Sequence, residues 1–126
     1  MSNATQALPG FLESVRVADR ALLDVARTRR LRPMEAYLLL IMLDEGDAVS
    51  TAHIAARVAA SSSQAKQLAL ALQVRGLIAR RDRTGLTSLT PEGRREAAAL
   101  AADVVKVLKD RLQELDAPAS WRAVIS

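Results

Sequence analysis

Apolar residues recur at helical spacing from the start of the chain. Phe11, Val15, Ala18, Leu22 and Val25 fall on one stripe, and Leu12, Leu23 and Ala26 widen it. This pattern predicts an amphipathic helix from Phe11 to about Arg29. A basic linker, Arg27 to Arg32, leads to Pro33, which suits the first turn of a helix. From Met34 to Leu43 the next helix is apolar almost all round, so it is expected to be buried on most sides. The acidic run Asp44 to Asp47, with Gly46 inside it, stops that helix. Ser50 is an N-cap for a short helix ending near Val58. Ser61 or Ser62 caps the next, which runs to Arg75 with Ala65, Leu68 and Leu72 facing inward. Gly76 supplies the left-handed residue that ends it.

The period then changes. Leu77 to Arg81 and Leu86 to Leu89 read as two short strands around a tight polar connection, Arg80 to Gly85. Thr90-Pro91-Glu92-Gly93 combines an N-cap, a first-turn proline and a carboxylate near the positive helix end. The helix it opens is expected to reach about Leu115. One stripe of that helix carries Ala97, Ala101, Val104, Leu108 and Leu115; a second carries Ala98, Val105 and Leu112. Two stripes call for two partners, the domain's own core and a second subunit. Pro118 breaks the helix, and Ala119 to Ile125 adds a short final turn. Met1 to Ala4 is set aside from these expectations.

The expected fold is mainly α with a small two- or three-stranded β-wing, a winged helix-turn-helix. The whole chain, 1–126, reads as one domain. Residues 10–30 and 91–126 are its dimerisation helices, and 33–90 its winged-helix lobe.

Composition sharpens this. Half of the 126 residues are hydrophobic, enough for a core and too many for a disordered chain. The longest apolar run, Ala36 to Leu43, is far shorter than the roughly 20 residues of a membrane span. No secretory signal is evident, and with no cysteine, disulfides and thiolate metal sites are excluded. A cytoplasmic location is the expectation. The net charge is +4, but Ser50 to Arg95 holds eight basic residues against two acidic ones. That segment carries +6 and the rest −2, as a phosphate-binding surface requires. An arginine-rich composition without functional meaning is the competing explanation.

The remaining chemistry is sparse. His53 is the lone histidine, too few nitrogen ligands for a metal site. Asp44, Glu45 and Asp47 read as an acidic turn. There is no phosphate-binding glycine loop, nucleophile elbow or histidine-based triad. The expectation is no enzyme and no cofactor.

Residues Ser50 to Val58, Ser61 to Leu68, Leu72 to Ile78 and Leu86-Thr-Ser-Leu-Thr-Pro-Glu-Gly93 together resemble the MarR family of winged-helix transcription factors. The resemblance covers about Leu31 to Leu115, and the first helix fits by position only. It departs at the wing, where Arg81 to Gly85 is shorter than usual and only Asp82-Arg83 echoes the acidic-basic tip. It departs again at Ser62, a position often basic in relatives; Lys66 is the only positive charge of its helix before Arg75.

The resemblance implies double-stranded DNA as partner, a homodimer on a pseudo-palindromic operator, and a regulator acting as a repressor. Ser62, Ser63, Gln64, Lys66 and Gln67 begin the helix that would meet base edges. Glutamine pairs with adenine, lysine with guanine, and serine with several edges. Arg57 and Arg75 are expected phosphate contacts. Arg80, Arg81 and Arg83 belong to the wing, with Arg83 directed to the minor groove. MarR-like proteins often release DNA when a small aromatic or anionic effector binds between the dimer helices and the reading lobe. Such a pocket would be lined here by Phe11, Val15, Tyr37, Leu38, Ile41 and Met42, although Tyr37 also reads as a core residue with its hydroxyl at the edge. Two other readings stay open. One is a dimeric winged-helix adaptor or anti-regulator that binds protein. The other is single-stranded RNA binding, which the three aromatics Phe11, Tyr37 and Trp121 support poorly.

Overall fold

A computed structural model describes residues 3–46, 48–58, 60–81 and 85–114. Five helices and three strands follow in the order α1 (Asn3–Thr28), α2 (Pro33–Glu45), β1 (Val49–Ser50), α3 (Thr51–Val58), α4 (Ser62–Val74), β2 (Ile78–Arg81), β3 (Leu86–Leu89) and α5 (Pro91–Glu114). Leu115, Pro118 and Trp121, on which expectations were placed, lie outside the described residues, as do Asp47 and the wing tip Asp82 to Thr84.

The helix signals hold because each end satisfies its own backbone. Gly46 closes α2 in the left-handed conformation, φ 78°, with its N–H bonded to the Met42 carbonyl. The Ser50 hydroxyl accepts from the His53 N–H at 3.1 Å and starts α3. Gly76, φ 77°, follows α4 and turns the chain into the sheet. The sheet is antiparallel in the order β1-β3-β2, with Val49 opposite Thr87 and Ile78 opposite Leu89. β1 is therefore the third strand of the wing.

α2 is the core of the lobe. Ala36, Leu38, Leu39, Ile41 and Met42 are buried, and the helix packs against α1, α3, α4, α5 and β3. α1 and α5 lie side by side and are tied at two levels. The Arg29 guanidinium donates to Glu96 at 2.9 Å and to Asp103 at 2.8 Å, and Arg111 donates to Asp24 at 2.8 Å.

Four expectations are corrected. α1 begins at Asn3 rather than Phe11 and contains Pro9. The proline forfeits one bond, to the Thr5 carbonyl, and the helix runs through it. Leu112 is only 1% exposed and belongs to the buried stripe with Ala97, Leu100, Val104 and Leu108. The outward stripe of α5 is left with Ala98 and Val105. Tyr37 is 41% exposed and not a core residue. Arg27 to Arg32 is not wholly a linker, since Arg27 is helical and Arg29 is held by α5.

Candidate nucleic-acid interface

α4 is placed by its first residue and its buried seam. Ser61 adopts an extended conformation, and its hydroxyl accepts from the Gln64 N–H at 3.1 Å. The Gln64 side-chain oxygen accepts from the Ser61 N–H, also at 3.1 Å. This reciprocal pair is a capping box and satisfies two otherwise unbonded donors. Ala65, Ala69 and Leu72 are buried, packing α4 against α2, α3 and β2. That seam leaves Ser62, Ser63, Gln64, Lys66 and Gln67 exposed on the outer side. Among the described residues, Ser62, Ser63, Lys66 and Gln67 have no side-chain hydrogen bond, while Gln64 already uses its acceptor, which leaves its NH2 donors.

The sheet stands beside this helix. Lys66 and Arg80 line one groove of about 290 Å³ together with Thr51, Leu70, Gln73 and Thr87. A helix and a hairpin thus share one cationic cleft. The Arg81 backbone ends β2; its side chain and all of Arg83 fall outside the described residues.

The two other expected phosphate contacts are engaged within the protein. Arg57 donates to Asp44 and to Glu45, each at 3.0 Å. Glu45 also meets His53 Nε2 at 2.6 Å. The His53 hydrogen bond, reinforced by Arg57, holds the Glu45 carboxyl below its ordinary value. Asp44, and then Glu45, raise the Arg57 guanidinium above its own. Arg75 donates to the Arg30 carbonyl at 2.7 Å and lies 3.9 Å from Glu35. Arg30 itself sits at φ 58°, a conformation uncommon outside glycine. The signal for the shared pairing of His53 and Arg57 with Glu45 was present: four residues apart on a helix, the two share a face and follow an acidic run.

The expected effector residues do not share one environment. Leu38, Ile41 and Met42 are core side chains, while Phe11 is 48% exposed and Val15 half-buried. A larger cleft of about 480 Å³ lies elsewhere, between the start of α2, the end of α3 and α4, lined by Arg32, Met34, Glu35, Val58, Gln64 and Leu68 among others.

A helix pair, a capped third helix and a three-stranded sheet folded against it define a winged helix-turn-helix. No protein-family model matches the chain, and no curated protein matches it. Solved structures do. The MarR-family transcriptional regulator SPO1453 from Silicibacter pomeroyi DSS-3 is 25% identical, covers 86% of this chain and 81% of its own, and superposes with a TM-score of 0.71. NadR in complex with 4-hydroxyphenylacetate is 12% identical over 92% of this chain and 85% of its own, TM-score 0.76. The Mycobacterium tuberculosis MarR-family protein Rv2887 in complex with DNA is 20% identical over 80% of each chain, TM-score 0.67. The chain has the MarR-family winged-helix fold.

Proposed function

We propose that this chain is a DNA-binding transcriptional regulator that binds a pseudo-palindromic operator as a homodimer and acts as a repressor. The observation that carries the reading is the exposed polar face of α4 beside the Lys66–Arg80 groove. A capped helix with a buried seam presents Ser62, Ser63, Lys66 and Gln67 outward, the geometry of a major-groove reader. The similar fold of Rv2887, solved with DNA, supports it. Release by a small aromatic or anionic effector is part of the proposal; NadR, of like fold, binds 4-hydroxyphenylacetate.

Binding to duplexes enriched by site selection, followed across a salt series, tests this. Affinity should fall steeply and linearly on logarithmic axes as counterions are released, and sedimentation should find two chains per duplex. Salt-insensitive or undetectable duplex binding would overturn the proposal in favour of a protein-binding adaptor.

A further inference from the structure

Leu70 stands where a soluble domain has least reason to place a leucine. It is two residues from Leu68 and two from Leu72, so at about 100° per residue it points away from the side they bury. It is 60% exposed. Its neighbours on that outer face are Lys66 and Gln67 before it and Gln73 and Val74 after it, all exposed, Val74 at 81%.

The surroundings of Leu70 are cationic. On one side it borders the groove that holds Lys66 and Arg80. On the other it borders a wider groove of about 590 Å³ whose lining includes Arg30, Arg32 and Arg75, with Glu35 as the acidic member. A protein-docking hot spot is characteristically an aromatic or arginine anchor within a sealed ring. An aliphatic side chain between two basic grooves fits a polyanion with apolar groups on its exposed edge. Duplex DNA offers one such group in the major groove, the thymine C5-methyl.

We infer that Leu70 reads thymine methyl groups; this rests on the proposed DNA-binding function. Leu70 lies four residues, about 6 Å, along the helix from Lys66. A thymine contacted by Leu70 therefore lies within about two base pairs of the guanine contacted by Lys66. The hydroxyls and amides before it supply hydrogen bonds, and Leu70 supplies the apolar contact.

The test uses the full chain and the best duplex from a site selection. Each thymine in turn is replaced by deoxyuridine, which deletes the methyl and keeps every hydrogen-bonding group. One thymine per half-site should prove methyl-sensitive, with wild-type affinity falling about fourfold for one lost buried methyl. The same replacement should leave the affinity of Leu70→Ala unchanged. The inference is overturned if no thymine is methyl-sensitive, or if Leu70→Ala keeps the full sensitivity, which would assign the side chain to a protein contact. Absence of salt-dependent binding to any duplex overturns the DNA reading as well, so the two failures are distinguishable.

Discussion

At the scale of single residues, Gly93 is the glycine with least room for a side chain. A Cβ built there would lie 1.8 Å from the Leu77 carbonyl oxygen and 2.8 Å from its carbon. Both obstacles are backbone, and the same carbonyl already accepts the Thr90 N–H at 3.1 Å. Gly93→Ala therefore has to push α5 away from the start of β2. A destabilisation of about 3 kcal/mol or more is expected, at the high end for one methyl group. Urea unfolding checks it; a loss within about 1 kcal/mol would show that the contact yields easily. Arg75 makes the opposite point. Its type and place suggest phosphate, but its guanidinium holds the Arg30 carbonyl. Arg75→Ala should leave the salt slope of DNA binding unchanged, whereas loss of a true phosphate contact reduces that slope by about 1.

At the scale of elements, the capped helix ends were legible at both termini, and the start of α1 was not. Ser50, Gly46, Gly76 and Thr90 each act at the place their type implies, because a cap is a local arrangement of a few residues. The start of α1 was hidden because Pro9 mimics a boundary. The role of Leu112 was hidden because a stripe on α5 is fixed by the way α1 and α2 approach it, which no local pattern records. The Arg29 bridge to Glu96 and Asp103 joins residues far apart in sequence and was hidden for the same reason. At the candidate site, the exposed residues of α4 were legible from periodicity. The capping role of the Gln64 side chain was signalled by Ser61 three residues before it, and the pairing of Arg57 by the acidic run ahead of α3, but only the fold decides that Arg57 meets Asp44 and Glu45 rather than phosphate. Ser61→Ala should destabilise the fold by about 1 kcal/mol through loss of the cap. The contact between α2 and α3 has its own pH signature. Glu45 is held below its ordinary value of 4.5 in the folded chain. The unfolded chain therefore takes up that proton first as acid is added. The stabilisation is complete above pH 4.5 and disappears as pH falls through the lower folded value. Melting temperatures measured down the acid range should decline less steeply for Glu45→Gln than for the wild type; parallel declines would rule out this role.

At the scale of the whole molecule, two long helices leave apolar groups exposed among the described residues. Leu8, Phe11 and Leu12 share one side of α1, each about half exposed, and Val105 is exposed on α5. In the proposed dimer these surfaces meet their copies. Phe11→Glu is expected to shift the chain toward monomer in sedimentation and to weaken operator binding, since two half-sites no longer act together. Retention of the dimer would exclude this face of α1 from the interface.

The Thr90 hydroxyl donates to the Gly76 carbonyl at 2.7 Å and accepts from the Gly93 N–H at 2.9 Å. With Leu77 wedged against Gly93, the end of α4 and the start of α5 form one welded joint. A weld transmits torque. α5 spans 24 residues, about 36 Å at 1.5 Å per residue, so a tilt of about 5° moves one end by roughly 3 Å relative to the other. In the proposed dimer, anything that changes how the two α5 helices cross would be geared to the separation of the two α4 helices. The proposed operator, with its half-sites at fixed spacing, would gauge that separation like a calliper.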